Sequence, residues 1–155
     1  MRGVILMCFC LQLAACAAQQ PASTTSSAAP AGGGTVSVSS TSDVLERHMK
    51  TFGANDLEGV LADYAPNAVM YTPGGAVKGS EALRKQFQAV LAEWGKPGVK
   101  FDLKQKLVEG EGAYTYWNAE TADNIYEGAT DSFVVRDGKI VEHFFAGKIT
   151  PKKQQ

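Results

Sequence analysis

The chain has 155 residues, a formal net charge of −1 and 45% hydrophobic residues, a composition that suits one folded domain of ordinary character. Lys and Arg are not clustered as the neutralisation of phosphates would require, so nucleic acid is not an expected partner. All three cysteines lie within the first 16 residues, and there are only two histidines. The sequence therefore predicts no disulfide within the domain and no metal site.

The N-terminus pairs a positive start with the apolar run from Val4 to Ala15, which is too short to span a bilayer as a stable helix and is typical of a signal peptide. The run ends in Leu-Ala-Ala-Cys16, which resembles a bacterial lipobox and implies cleavage before Cys16 and lipidation of its thiol. An ordinary signal peptide that contains a cysteine is the alternative. We expect residues 1–16 to direct the protein to the cell envelope as a lipid-anchored protein.

Residues 17–41 carry no charged side chain and consist mainly of Ala, Ser, Thr, Gly, Gln and Pro. Such a segment cannot bury enough apolar surface to fold, so we predict a disordered tether. The residue after the cysteine is Ala17, whereas an Asp there commonly implies retention at the inner membrane. In a Gram-negative cell the sequence therefore favours the outer membrane, with the domain facing the periplasm.

Residues 42–150 have the periodicity of a folded domain, and residues 151–155 form a tail. Three helices are predicted by apolar stripes at helical spacing, with N-caps at Ser42-Asp43, Asp56 and Ser80. Pro66 is expected to end the second helix, and Gly95 the third. A short strand over 68–72 is predicted between them, ending before Pro73.

The second half of the domain alternates apolar and polar residues, which predicts β-strands. The predicted strands start at Val99 and then cover 113–122, 125–136 and 139–149. Three helices in the N-terminal half followed by four long antiparallel strands indicate an α+β fold, with the helices on one face of a curved sheet.

The last two strands carry the main chemical clue. A three-residue turn ending in Gly138 would pair Val135 with Lys139 and would set Asp131 opposite His143. The other residues on that face are apolar: Ala129, Phe133, Val141 and Phe145. A carboxylate and an imidazole on an apolar face cost several kcal/mol unless they are paired or used, on the order of 2–7 for an unpaired polar group. Asp131 and His143 are therefore candidate catalytic residues, and a purely structural pairing is the alternative.

Residues 42–150 resemble the nuclear transport factor 2-like superfamily, and within it the SnoaL-like and ketosteroid-isomerase-related proteins. The segments that carry the resemblance are 54–60, 64–68, 78–83 and 131–140. The resemblance implies a cone-shaped, curved antiparallel sheet that encloses a cavity together with the three helices. It also implies a possible homodimer through the outer face of the sheet.

The resemblance suggests two kinds of chemistry. Ketosteroid isomerases use an Asp base with a Tyr and a protonated Asp; the matching positions here are Thr72, His48 and Asp131. Thr72 cannot act as a carboxylate base, which argues against that arrangement. Polyketide-cyclase relatives work without metal or cofactor through an inward Asp assisted by a histidine, and Asp131 with His143 or His48 fits that pattern.

The remaining candidates are residues that would line the implied cavity. If Asp123-Asn124 makes a two-residue turn, Tyr116 and Asn118 share the face of Asp131, and Trp117 lies on the other face. The predicted cavity residues are His48, Met70, Thr72, Tyr116, Asn118, Phe133, Val141 and Phe145. For His48 and for the apolar members, simple core packing is the alternative.

Three functions stay open at this point. The favoured one is an envelope-anchored domain that binds a small hydrophobic molecule in its cavity. The second is a cofactor-free isomerase- or cyclase-type acid–base enzyme that uses Asp131 with His143. The third is a non-catalytic structural or dimerisation module. The sequence does not decide whether the protein is an enzyme.

Overall fold

The computed structural model describes residues 39–153. The predicted signal peptide, Cys16 and almost all of the predicted tether lie outside the described residues. Within residues 39–153, every helix is too short or too polar to cross a membrane.

The domain has three helices and six strands. The helices are α1 (Thr41–Gly53), α2 (Leu57–Ala62) and α3 (Gly79–Trp94). The strands are β1 (Tyr64–Thr72), β2 (Gly75–Lys78), β3 (Lys100–Glu109), β4 (Gly112–Glu120), β5 (Asn124–Arg136) and β6 (Lys139–Pro151). The predicted α+β fold, with its helices in the N-terminal half and four long antiparallel strands after them, is confirmed.

All six strands form one sheet in the order β2-β1-β6-β5-β4-β3. Neighbouring strands are antiparallel except β1 and β6, which run parallel. Strand β2 was not predicted, because Pro73 and the glycines after it were expected only to end β1. Instead they make a tight turn, in which Thr72 Oγ1 accepts a hydrogen bond from the Gly74 amide at 3.2 Å and donates one to the Gly75 carbonyl at 3.0 Å.

The helix ends differ in part from the predicted ones. Helix α1 is capped by Ser40, two residues before the predicted cap, because Ser40 and Asp43 form a reciprocal capping box. Asp56 caps α2 as predicted. Helix α2 ends at Ala62, and Pro66 lies inside β1 in a stretch where the pairing with β6 is irregular. A proline is tolerated there because the ladder does not need its missing N–H.

The third helix ends at Gly95 as predicted, but Ser80 is not its N-cap. Lys78 occupies the cap position and makes no side-chain capping bond. The Ser80 hydroxyl donates instead to the Pro66 carbonyl at 3.3 Å, so it joins α3 to β1.

The core lies between the helices and one face of the sheet. The deeply buried apolar side chains there include Val44, Leu45, Val60, Leu83, Phe87 and Ile140. Full burial of each such side chain contributes about 1.5–3 kcal/mol. A second, aromatic cluster consists of Trp117 and Tyr126 with Ala119 and Ala129, and Trp94 and Phe145 pack against it.

A bulge in β5 bends the sheet beside this second cluster. The pairing of β5 shifts by one residue against both β4 and β6 around Gly128, which has a φ of 60°. Its amide donates to Asn118 Oδ1 at 2.8 Å, so Asn118 holds the bulge in place. Bulges of this kind increase the local bend and twist of a strand.

Close packing of Gly147 on β5 supports the bend and gives a first test. A Cβ at Gly147 would lie 2.9 Å from both Cα and Cβ of Ala129, whereas a Cβ at Gly53 meets nothing within 4 Å. We expect Gly147→Ala to lower the free energy of unfolding by about 1–3 kcal/mol, because it overpacks the sheet. Gly53→Ala, the matched control at the end of α1, should leave it unchanged or raise it by up to about 1 kcal/mol. Denaturant titration of both variants measures this, and equal effects would contradict the packing argument.

Candidate functional site

The hairpin that carries Asp131 and His143 differs in register from the predicted one. Asp137 and Gly138 form a two-residue turn with φ of 51° and 70°, and Arg136 pairs with Lys139. Positive φ at both central positions matches the twist of the flanking strands. The pairing shifts between Val134 and Val135, after which Phe133 is opposite His143 and Asp131 is opposite Phe145. The predicted direct pairing of Asp131 with His143 is therefore wrong.

The two side chains nevertheless lie on the same face. The observed register differs from the predicted one by two residues, and an even shift leaves each side chain on its face. Asp131 and His143 become diagonal neighbours, and His143 Nε2 lies 2.9 Å from Asp131 Oδ1. The shared face that the sequence predicted for this pair is confirmed.

Tyr64 extends the pair into a buried chain of hydrogen bonds. Its hydroxyl lies 2.8 Å from His143 Nδ1, so both ring nitrogens of His143 have a partner. Every proton in the chain has an acceptor if Tyr64 donates to Nδ1 and His143 donates through Nε2 to Asp131. If His143 instead donated through Nδ1 to the Tyr64 oxygen, the Tyr64 proton would have no acceptor among the described residues. The chain therefore runs from Tyr64 through His143 to Asp131.

Trp117 and Thr115 complete the surroundings of Asp131. Trp117 Nε1 donates to Asp131 Oδ2 at 2.7 Å, and Thr115 Oγ1 lies 3.5 Å from the same oxygen. Both oxygens of Asp131 thus have hydrogen-bonding partners. The Asp131 side chain is 19% exposed and that of His143 only 4%, so Asp131 is the member of this chain that a ligand can touch.

The prediction for β4 is wrong by one residue. Thr115 pairs with Asp131 and Trp117 with Ala129, so these two residues share the face of Asp131. Tyr116 and Asn118 lie on the outer face and do not line the cavity. The turn between β4 and β5 is Ala122-Asp123, closed by the Thr121 amide on the Asn124 carbonyl, not the predicted Asp123-Asn124. The earlier turn alone shifts the register by two residues, which leaves each side chain on its face. The Gly128 bulge takes back one of these residues, and the remaining difference of one residue moves each side chain to the other face.

A cavity of about 790 Å³ lies between the helices and this face of the sheet. Of the other predicted cavity residues, His48, Met70, Thr72, Phe133 and Phe145 line it, together with Asp131 and His143. Val141 does not line it, because it lies at the register shift of the hairpin and packs against the core. The aromatic lining residues that sequence reasoning assigned to packing or left out are Phe52, Phe87, Trp94, Phe101, Trp117 and Tyr126.

His48 lies in the same cavity wall, 6.4 Å from His143 between ring centroids. It packs edge-on against the rings of Tyr64, Phe87 and Phe133. Burial lowers the pKa of His48 below its ordinary value and outweighs the opposing attraction of Asp63. His48 is therefore a neutral imidazole near neutral pH, whichever role it has.

Tyr64 is the functional candidate that sequence reasoning missed. It lies at the start of β1, but the sequence placed it at the end of the second helix because Pro66 was expected to end that helix. Burial raises the pKa of Tyr64 well above its ordinary value, and the charges of Asp131 and Asp63 raise it further. Its hydroxyl therefore stays protonated and donates to His143.

Two further findings concern ligands. No group of three His, Cys, Asp or Glu side chains that could hold a metal ion occurs within residues 39–153. Of the described residues that line the cavity, Asp131 alone carries a formal charge. The cavity therefore combines a largely apolar wall with one carboxylate.

The family follows from comparison with known proteins. The model of the SnoaL-like domain matches residues 45–143, which is more than half of the chain. The chain belongs to the SnoaL-like domain family. No curated protein matches the sequence.

Solved structures with the same fold include several members of the wider group. A candidate polyketide cyclase from Sinorhizobium meliloti is 20% identical with a TM-score of 0.56, covering 67% of this chain and 94% of its own. A candidate ketosteroid isomerase from Kribbella flavida is 15% identical with a TM-score of 0.58, covering 74% and 82%. An epoxide hydrolase/cyclase-like enzyme of pyran ring formation in salinomycin is 14% identical with a TM-score of 0.60, covering 70% and 90%. At 14–20% identity, these similarities show only that the chain has the same fold.

The hydrogen bond of Tyr64 in this SnoaL-like domain gives a second test. We expect Tyr64→Phe to lower the free energy of unfolding by about 1–3 kcal/mol, because it leaves His143 Nδ1 buried without a partner. Tyr114→Phe is the matched control: Tyr114 lies on the outer face of β4, and no hydrogen bond of its hydroxyl is found among the described residues. It should change stability by less than about 0.5 kcal/mol. A Tyr64→Phe variant as stable as the control would contradict the proposed chain.

Proposed function

We propose that this SnoaL-like domain binds a small, largely apolar molecule without negative charge, and that Asp131 is its polar anchor. The observation that carries the proposal is the cavity of about 790 Å³, whose described lining is apolar and aromatic apart from a few polar groups. Volumes of about 300–1,000 Å³ and such linings are typical of sites for small organic ligands.

The charge of the cavity supports the exclusion of anions. Asp131 is the one formally charged residue of the described lining, and no Lys or Arg lines the cavity to balance it. An anion in this low-dielectric space would be repelled by the carboxylate and would lose its hydration without compensation. A neutral or cationic ligand avoids both costs and gains a hydrogen bond to Asp131.

The solved structures of the same fold support a small-molecule function in a general way. One of them is a candidate ketosteroid isomerase and another a candidate polyketide cyclase. Those activities belong to the other proteins. At 15% and 20% identity, the similarity supports for this chain only the general proposal that the cavity binds an organic molecule.

Acid–base catalysis by Asp131 is the second candidate function, and the chain Tyr64–His143–Asp131 favours it. Such a chain fixes the orientation of a carboxylate and stabilises its charge, as a general base requires. His143 has no free nitrogen for a substrate, so in this mechanism it positions Asp131 and does not touch the substrate. An enzyme would lose turnover with Asp131→Asn and keep most of its ligand affinity, whereas a binding protein has no turnover to lose.

A pair of fluorescent probes tests the binding proposal on the purified full-length chain. N-phenyl-1-naphthylamine is neutral, and anilinonaphthalene sulfonate has the same ring system with an added sulfonate. We expect the neutral probe to bind at least about tenfold more tightly, because a sulfonate near Asp131 costs more than about 1.4 kcal/mol at the effective dielectric of a protein site. Fluorescence titration measures both affinities.

The matched variant is Asp131→Asn, which keeps the shape of the side chain and removes its charge. It should tighten the binding of the sulfonate probe and weaken or leave unchanged that of the neutral probe, so that the difference between them shrinks. Equal affinity of the two probes for the unmodified chain would contradict the proposal. If the difference in affinity between the two probes is unchanged in Asp131→Asn, another group excludes the anion.

We further propose that the protein is anchored in the cell envelope through a lipid on Cys16, facing the periplasm from the outer membrane in a Gram-negative cell. The supporting observations are the sequence Leu-Ala-Ala-Cys16 after a short apolar run and the uncharged segment 17–41. More than one acyl chain is needed for durable anchoring, and a lipoprotein cysteine supplies such a set.

Replacement of Cys16 tests the anchor. In cells fed labelled palmitate, the unchanged chain should incorporate label and fractionate with membranes. Cys16→Ser should incorporate none and should accumulate as an unprocessed precursor, whereas Cys10→Ser, the matched control in the same segment, should behave like the unchanged chain. An unchanged chain without label would show that the anchor is wrong.

A further inference from the structure

The cavity wall contains a second pairing of histidine and carboxylate, separate from the Asp131 chain. His48 Nδ1 lies 3.6 Å from Asp63 Oδ2, and both side chains are almost fully buried. Neither atom has a hydrogen-bond partner among the described residues. An unsatisfied buried polar atom costs about 1–3 kcal/mol, so each of these two atoms needs the other.

Arg47 already balances the charge of Asp63. Its Nε is paired with Asp63 Oδ1, and the Asp63 side chain has no exposure to solvent. The second oxygen of Asp63 therefore needs a hydrogen-bond donor and not another positive charge. A neutral imidazole supplies that donor if its proton is on Nδ1.

The position of Asp63 also decides which nitrogen of His48 faces the cavity. Asp63 lies between α2 and β1 and does not line the cavity, whereas His48 does. Nδ1 points to Asp63, and Nε2 lies on the opposite edge of the ring. With the proton on Nδ1, the nitrogen available to a ligand is a hydrogen-bond acceptor.

We propose that His48, fixed by Asp63 as the Nδ1–H tautomer, is a second polar anchor that accepts a hydrogen bond from the ligand through Nε2. The inference rests on the proposed binding function and narrows its ligand class. Asp131 and His48 both present acceptors, so the preferred ligand is an apolar molecule that carries hydroxyl or N–H donors. A molecule that offers only carbonyl or ether oxygens satisfies neither anchor.

The groups around His48 support its neutral state. On β5 and β6 it faces Asp131 and His143, and beside it on β1 is the Tyr64 hydroxyl, which is committed to His143. Burial lowers its pKa, and the neighbouring His143 acts in the same direction. The negative charges of Asp63 and Asp131 oppose this shift but do not overcome it.

The chain offers a direct test because it contains only two histidines. Nitrogen-15 NMR of the purified full-length chain labelled at histidine gives two sets of imidazole signals, one for each ring, assigned by the loss of one set in His48→Gln or His143→Gln. We expect His48 to show the Nδ1–H tautomer at about pH 7 and to stay neutral down to below its ordinary pKa of about 6.5. A His48 that is charged or carries its proton on Nε2 under these conditions overturns the proposal.

Matched variants separate the two carboxylates. Asn has one acceptor oxygen, and Arg47 needs it, so Asp63→Asn turns its amide N–H toward His48 Nδ1. The Nδ1–H signal of His48 should therefore weaken while His143 keeps its signals. Asp131→Asn should do the reverse, because its partner is His143. If the tautomer of His48 is unchanged in Asp63→Asn and changes in Asp131→Asn, the assignment is wrong. If Asp63→Asn does not fold, the tautomer of the unchanged chain still decides.

The ligand class is tested with two probes that share one ring system. Dihydroxynaphthalene carries two donors, and dimethoxynaphthalene carries only acceptors. The diol should bind about fivefold or more tightly than the ether, should move the Nε2 signal of His48, and should lose about fivefold in affinity with His48→Phe. A diol that binds without moving that signal overturns the anchor. If neither compound binds, the proposed binding function is wrong and the proposed anchor is wrong with it. The NMR result is separate, because it tests whether Asp63 fixes the tautomer of His48.

Discussion

The carboxylate of Asp131 sets the main constraint on this structure, because a charged group inside an apolar cavity must be held by hydrogen bonds. Trp117 donates to one of its oxygens, and His143 pairs with the other. Tyr64 in turn donates to His143, so three strands contribute side chains to the support of one carboxylate. The hydrogen bond from Tyr64 to His143 joins β1 to β6, the one parallel pair of the sheet.

Irregularities in the strands bring these donors together. The Gly128 bulge sets Thr115 opposite Asp131 and Trp117 beside it, and the Asn118 side chain holds the bulge from the outer face. The shift between Val134 and Val135 places His143 diagonally from Asp131, within hydrogen-bond distance. A strictly regular ladder in β5 would have left one of these partners out of reach. Bulges are common near functional sites because they redirect side chains in this way.

The sequence predicts the features that depend on periodicity and fails where one residue of register decides. Asp56 and Gly95 were correctly predicted as helix ends. Asp131 and His143 share a face as predicted because the predicted register differs from the observed one by two residues, an even number. Trp117 was assigned to the wrong face because the Gly128 bulge shifts the pairing of β4 with β5 by one residue; the earlier turn after β4 shifts it by two residues and by itself changes no face. Tyr64 was missed for another reason: nothing local in the sequence shows that β1 starts before Pro66, since the pairing partner of Tyr64 is Ile140.

Charge balance distinguishes the two carboxylates that approach the cavity. Asp63 is completely buried and paired with Arg47, so its charge is balanced inside the protein. Its second oxygen lies near His48 Nδ1 and is the atom proposed to orient that ring. Asp131 has hydrogen-bond donors, but no Lys or Arg pairs with it among the described residues, and part of its side chain is exposed in the cavity. The negative charge that no Lys or Arg of the described residues balances therefore faces the cavity. Because His143 has no free nitrogen, the carboxylate of Asp131 and the imidazole of His48 are the groups of their kind in this wall that remain for a ligand, and both offer acceptors. A ligand that fills the apolar cavity and brings its own donors would satisfy both anchors.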